Sequence, residues 1–304
     1  MIPIINISQD KNIVAKQIAH ACETIGFFMI EGHGIELSLI ENVNEQAKQF
    51  FDLSAAEKNG YSVTGGMGYI GPSGEQLAAS SDDTTVQDVK ESLNLTLPID
   101  PNSWPAHPAS FQQNTAVYLQ SLIDLAQKLM QLFALALELE EHWFDDKIDD
   151  PRTILRLLNY PPIQNQQPNL SRAGAHTDYG TLTILWSPDS RGLQAQNRQG
   201  EWVDVISKPE QFIINIGDLM MNWTNDRWIS TPHKVVPQPE TAGKRRNSLA
   251  FFHNPNPNAL IKCIDTCCSE ENPAKYEPIL AKQHLEIKIS KSLGQEVKLD
   301  DQQN

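Results

Sequence analysis

The chain has 304 residues, 40% of them hydrophobic and 20% charged, which is the make-up of a folded globular protein and excludes the disordered and fibrous classes. At that length it can bury a large core, as one big domain or two. The formal net charge of −14, from 24 Lys and Arg against 38 Asp and Glu, argues against a nucleic-acid partner, because phosphate is neutralised by clustered cations.

In chain order, MIPIINISQD has no basic flank ahead of an apolar core, so no secretory signal is expected and the location expected is cytoplasmic. Residues 11–25 place Val14, Ile18, Ala21, Cys22 and Ile25 on one helical stripe. GFFMIEGHG at 26–34 then predicts a short strand ending in a turn that holds His33. Residues 35–51 are helical again, with Ile40, Val43, Ala47 and Phe50 or Phe51 inward, and Ser54 with Glu57 is a capping-box signature. GMGYIG at 66–71 matches the glycine fingerprint of dinucleotide sites. It is set aside because SVTG precedes it and Pro72, Ser73 and Gly74 follow, where a strand and a helix are required. The glycine-rich stretch 64–89 is expected to be a long flexible loop lying over a site as a lid.

A long helix is predicted over about 110–140, with Tyr118, Leu122, Leu125, Leu129, Leu132, Ala136 and Leu139 facing a core and His142 just past its end. Its most apolar part, LMQLFALALEL, is too short to span a bilayer, and no membrane partner is expected. After residue 150 the texture changes to short strand-like runs: TILRLLNY, GTLTILW, GLQAQ, EWVDV, QFIINIG, STPHKVV and NSLAFFHN. Such spacing predicts a β sandwich, jelly roll or barrel, packed against an α-rich front half. The four cysteines, Cys22, Cys263, Cys267 and Cys268, are too few for a disulfide framework and lack zinc-site spacing. The terminal DDQQN reads as a disordered tail.

The chemistry-bearing residues sit in this second half. In GAHTDYGTLTILW, residues 174–186, His176 and Asp178 are two apart, so on a strand both would leave the same face. A bare pair of this kind is more often a strand end followed by a turn at Gly180. His233, in STPHKVV, offers a third partner, and two imidazoles with one carboxylate form the facial set that suits non-haem Fe(II) with positions left open. In RRNSLAFFHNPNP, Arg246 and Ser248 are again two apart and together offer a guanidinium fork and a hydroxyl to one carboxylate.

This order of HxD, distal His and RxS resembles the isopenicillin N synthase-like family of Fe(II) and 2-oxoglutarate-dependent oxygenases. GFFMIEGHGI at 26–35, LRLLNYPP at 155–162 and NIGDLMMNWTNDRWISTPHKVV at 215–236 carry the likeness along nearly the whole chain. The resemblance implies a mainly β protein with flanking helices, whose core is a double-stranded β-helix (jelly roll). It implies an N-terminal α/β region over 1–109, and a helical spine, catalytic core and C-terminal helix over 110–304, forming one compact unit. It implies Fe(II) on His176, Asp178 and His233, and the distal carboxylate of 2-oxoglutarate on Arg246, Ser248 and Tyr160, with Asn159 a second candidate beside it. The reaction implied is oxidation of a C–H bond of a small molecule by dioxygen, as hydroxylation, desaturation or cyclisation, with release of succinate and carbon dioxide. Halogenation is not expected, since relatives that halogenate carry a small residue where this chain has Asp178.

Substrate contacts are expected from Met67, Tyr69 and Ser73, from Lys90, Glu91 and Ser92, and from Trp223 and Arg227. Two other readings stay open at this point. RxS also occurs in relatives that use no 2-oxoglutarate and draw electrons from the substrate, and a catalytically silent metal-binding protein would keep the same fold.

Overall fold

The computed structural model describes residues 1–62, 66–72, 74, 77, 87–162, 170–238 and 243–292. The front half runs β1 (Ile4–Asn6), α1 (Lys11–Thr24), β2 (Phe27–Glu31), α2 (Leu37–Phe51), α3 (Ala55–Asn59), β3 (Gly68–Ile70), β4 (Gln87–Asp88) and β5 (Glu91–Leu95). The spine α4 (Phe111–Ala136) leads to β6 (Thr153–Tyr160), β7 (Leu170–Ser171), β8 (Ala173–His176), β9 (Leu182–Trp186), β10 (Leu193–Gln196), β11 (Trp202–Asp204) and β12 (Phe212–Ile216). Then come α5 (Asp218–Trp223), β13 (His233–Val235), β14 (Arg246–His253), β15 (Leu260–Ile261), β16 (Ile279–Leu280) and α6 (Ala281–Ser292).

The strands form an eight-stranded sheet, ordered β1-β2-β12-β9-β14-β6-β5-β3, and a four-stranded sheet, ordered β11-β10-β13-β8. Side-chain alternation decides what each face of the large sheet meets. Phe28 and Ile30 of β2, with Phe212 and Ile214 of β12, join the core shared with α1, α2 and α4. Their neighbours Phe27, Met29 and Ile213 point the other way and pack with Ala173, Leu193, Ala195 and Val235 of the small sheet. The result is a jelly-roll sandwich with one face backed by helices. Residues on both sides of position 109 share the large sheet, since β2 pairs with β12 and β5 with β6, while β1 and β3 extend it at its two edges.

Local chemistry explains the element ends. Asp10 caps α1 by accepting from the N–H groups of Asn12 and Ile13, and Ser54 and Glu57 close the capping box at α3. The spine stops at Ala136, short of the expected 140, because Glu138 takes a left-handed backbone (φ 62°) and the Leu139 N–H closes onto the Ala134 carbonyl at 2.9 Å. Gly68, Tyr69 and Ile70 of the glycine-rich motif form β3, antiparallel to β5, so no strand-to-helix turn exists there to cradle a phosphate. His33 sits in the turn after β2, its ring tilted against Phe212 with centroids 4.5 Å apart. Most of the expected lid between 64 and 89, with the DDQQN tail, lies outside the described residues.

Leu122 is fully buried on the inward stripe of α4. Leu122→Ala is expected to lower the unfolding free energy by about 2–5 kcal/mol, read by urea denaturation.

Candidate functional site

The cavity between the two sheets begins at a pair of histidines. His176 ends β8, His233 opens β13, and the antiparallel register places them directly opposite one another, with ring centroids 4.4 Å apart. Asp178 does not extend the strand, as the two-residue spacing suggested. It lies in the turn after β8, where its carbonyl accepts from the Asp218 N–H at 2.8 Å. The turn still delivers the carboxylate to the same place: Asp178 Oδ1 is 3.9 Å from His176 Nε2 and 3.7 Å from His233 Nε2.

The surroundings fix which atoms face the centre. Each imidazole gives Nδ1 to a backbone carbonyl two residues earlier, His176 to Gly174 at 2.7 Å and His233 to Thr231 at 3.1 Å. Nδ1 therefore carries the proton, and the Nε2 lone pairs turn toward Asp178. Asp178 Oδ2 accepts from Thr183 Oγ1 at 2.5 Å and Asn215 Nδ2 at 2.7 Å, leaving Oδ1 for the centre. One ligand atom from each of the three residues lies within 4.8 Å of the others, and all three residues are buried. Two neutral nitrogens and one carboxylate oxygen on one side of a cavity fit a divalent ion with positions left open. Burial lowers His176 to a pKa of about 4. Asp178 is held below the usual carboxylate range, although burial pushes the other way, because His233 and His176 stand beside it and Asn215 and Thr183 donate to it.

Toward one end of the cavity, Arg246 of β14 lies opposite Tyr160 of β6, its guanidinium 5.1 Å from the ring centroid. Arg246 is 6% exposed, and its Nε and Nη2 have no partner among the described residues. Buried donors of this kind are normally satisfied, so the fork is shaped for a partner that the described residues do not supply. Ser248 and Tyr160 line the same space. Asn159 does not. It lies on the opposite face of β6, where its amide donates to Glu91 at 2.7 Å and accepts from Asn247 at 3.2 Å, so the strand alternation removes it from the co-substrate candidates.

The same face of β6 continues to Leu158, Arg156 and Ile154, which also line the cavity. Arg156 Nε donates to Asn94 Oδ1 at 3.0 Å, and its guanidinium lies 5.4 Å from the Phe252 ring centroid. Leu285 of α6 adds an apolar wall. Counting back from Tyr160 by twos along LRLLNY would have found Arg156.

The seven substrate candidates with described positions are placed outside this lining. Trp223 is packed against Phe144 and Trp143 in the main core, and Arg227 pairs with Glu23 at 2.8 Å and Glu138 at 3.4 Å. Lys90 is paired with Asp88 at 2.9 Å, and the Tyr69 hydroxyl donates to Glu91 at 2.5 Å. Ser92 is buried in β5 opposite Ile70, and Met67 adjoins Gly66, which does reach the cavity. Glu91 itself is bound by Lys58, Tyr69 and Asn159 on the helical face of the sheet. Ser73 lies outside the described residues.

Burial also lowers His253 to a pKa of about 4. His176 and His253 thus stay neutral in the folded chain between about pH 6.5 and 4, while the unfolded chain takes up protons there. Stability rises with pH wherever the unfolded state binds more protons, so the metal-free protein is expected to lose stability as pH falls through that window. His253→Gln should make the slope of unfolding free energy against pH shallower.

Two family models match the chain. The non-haem dioxygenase in morphine synthesis N-terminal model covers residues 2–112, and the 2OG-Fe(II) oxygenase superfamily model covers residues 152–255. The chain is 31% identical to the 2-oxoglutarate-Fe(II) type oxidoreductase hxnY of Emericella nidulans, over 92% of this chain and 85% of that one. It is 32% identical to a homoarginine-6-hydroxylase of Oryza sativa, over 91% and 88%. A solved structure of a Neurospora crassa protein in complex with alpha-KG and thymine superposes with a TM-score of 0.84 at 30% identity, covering 93% of this chain and 95% of that one. With relatives this similar over nearly their full length, the chain belongs to the 2-oxoglutarate and Fe(II)-dependent oxygenases, enzymes that oxidise small molecules on a jelly-roll core.

Proposed function

We propose that His176, Asp178 and His233 hold the Fe(II) of this oxygenase, that Arg246, Ser248 and Tyr160 hold the distal carboxylate of 2-oxoglutarate, and that the substrate sits toward Arg156 and Phe252. The observation that carries this reading is Arg246: a buried guanidinium with two nitrogens unpartnered among the described residues, in the same cavity as three converging metal-ligand atoms. When bound, Fe(II) with 2-oxoglutarate and dioxygen supplies the oxidising chemistry and releases succinate and carbon dioxide.

The protein's own part is to bind, orient and keep dry. Thr183 and Asn215 lock the Asp178 carboxylate by one oxygen, so the other is presented without rotamer loss. The Arg246 fork can take both oxygens of a carboxylate in one plane, while Ser248 and Tyr160 add hydroxyl groups at its edge. Leu158, Leu185 and Ala250 line the wall between these ends with apolar surface, which limits water around the reacting carbon.

At the substrate end, the Arg156 guanidinium brings positive charge beside the flat ring of Phe252. That pair suits a small molecule with carboxylate or carbonyl oxygens at one edge. Homoarginine and thymine, named with two of the relatives, both have such oxygens. The reading places the enzyme in the cytoplasm, which its four free cysteines support, and without a nucleic-acid partner, which its net charge of −14 supports. No helix among the described residues is long and apolar enough to cross a membrane.

His233→Ala is expected to abolish tight Fe(II) binding, measured anaerobically by titration, together with succinate release. Arg246→Lys keeps the charge and loses the planar fork, so 2-oxoglutarate binding should weaken by about 1–3 kcal/mol, the scale of a charged hydrogen bond. Unchanged co-substrate affinity in that variant would count against Arg246 as the carboxylate site.

A further inference from the structure

β8 is an edge strand: it pairs with β13 on one side, and among the described residues no strand of the four-stranded sheet lies on its other side. The outward N–H of Gly174, one residue into β8, is buried all the same and needs an acceptor from elsewhere. Asp88 supplies it. Its Oδ1 accepts from Gly174 N at 2.7 Å, while its Oδ2 accepts from Lys90 Nζ at 2.9 Å and from Leu77 N at 2.9 Å. Asp88 is 2% exposed, and both its carboxylate oxygens are engaged.

Gly174 is also the residue whose carbonyl accepts the Nδ1 proton of His176, at 2.7 Å. Glycine restricts its own torsions less than any other residue, so the direction of that carbonyl depends on what anchors the backbone beside it. Asp88 anchors it from one side, and Val89 N donating to Ser171 O at 2.8 Å holds β4 against β7 next to it. The other histidine has no such dependence. His233 Nδ1 bonds to Thr231, whose β-branched side chain is itself tied to the Ile25 carbonyl at 2.6 Å.

We propose that Asp88 is a positioning residue for the metal centre, setting the orientation of the His176 imidazole through the Gly174 backbone. This rests on His176 being a metal ligand. The same carboxylate also pins the Leu77 backbone, and Leu77 lines the cavity, so one side chain fixes a metal ligand and part of the substrate wall.

Asp88→Asn tests it with the least change in shape. Asn can accept at one side only. The side facing Lys90 and Leu77 has two donors, one of them cationic, so the amide NH2 is left facing the Gly174 N–H, donor against donor. The probe is Mn(II) added to the full-length protein, with free ion counted by electron paramagnetic resonance, and no co-substrate or substrate present. The Asn variant is expected to bind Mn(II) about 10- to 100-fold more weakly, the scale found when groups that orient a metal ligand are changed. The anaerobic Fe(II)–2-oxoglutarate complex of the variant should show a shifted or weakened visible charge-transfer band. Lys58→Met removes the buried ion pair to Glu91 on the opposite face of the large sheet, and should lower the melting temperature while leaving Mn(II) binding unchanged.

A measurement on the unaltered protein covers the case in which the variant does not fold. If Asp88 favours metal binding, then metal binding must favour the Asp88 contacts, so Mn(II) should slow amide exchange in the peptide spanning 87–91. Wild-type Mn(II) affinity in Asp88→Asn, an equal loss in Lys58→Met, or unchanged exchange at 87–91 would each overturn the role. His176→Ala separates the two levels. If it still bound Mn(II) normally the ligand set itself would fail, whereas loss there with normal binding in Asp88→Asn would remove Asp88 alone.

Discussion

The register between β8 and β13 is the constraint on which the site depends. It sets His233 opposite His176, and because side chains alternate along a strand, a slip of one residue would turn an imidazole out of the cavity. The register is held from several directions. Arg172 N and Ser171 Oγ both donate to the Val235 carbonyl, at 3.1 and 3.0 Å, just past the irregularity between His233 and Val235. β10 pairs with the other edge of β13, Ala195 beside His233, and the Phe27 ring meets His233 edge-on at 5.4 Å. The large sheet thus supports the small one at the very residue that the centre requires.

Charge is the second organising term. Buried ions are costly unless paired or hydrogen-bonded, and the interior near the cavity follows that rule residue by residue. Asp88 has Lys90, Glu91 has Lys58, and Asp218 has Lys288 at 2.7 Å together with Ser230 and Thr177. Arg246 stands apart, with neighbours on one side and two nitrogens without partners among the described residues. A site built this way favours an anion of matching shape, since a carboxylate there satisfies donors that the fold leaves open and brings in the opposite charge.

The sequence was legible where function follows local period. The short strand-like runs TILRLLNY, QFIINIG and NSLAFFHN marked three central strands of the large sheet, and HxD, the distal histidine and RxS marked the residues that meet in the cavity. The same period, applied more strictly, separates Asn159 from Tyr160 and joins Arg156 to it. Trp223 and Arg227 were expected at the substrate, yet the first faces a core of aromatics and the second a surface pair of glutamates, and neither direction is written in a short motif. Asp88 lies still further from any local pattern: its link to Gly174 spans 86 positions and belongs to packing alone.

The two ends of the cavity are built from different kinds of element, and this bears on how one fold serves many substrates. The end that carries His176, His233, Tyr160 and Arg246 comes from paired strands, β6, β8, β13 and β14, three of them hydrogen-bonded on both sides and β8 on one. The far end draws on Gly66 and Leu77, on Asn94 of the sheet's outer region, and on Leu285 and Ile289 of the terminal helix α6. That helix is held by Lys288 on Asp218, the residue whose N–H also grips the Asp178 carbonyl. Changes in these outer pieces can alter the shape of the cavity while the strand-borne residues stay in register, because the two sets belong to different elements.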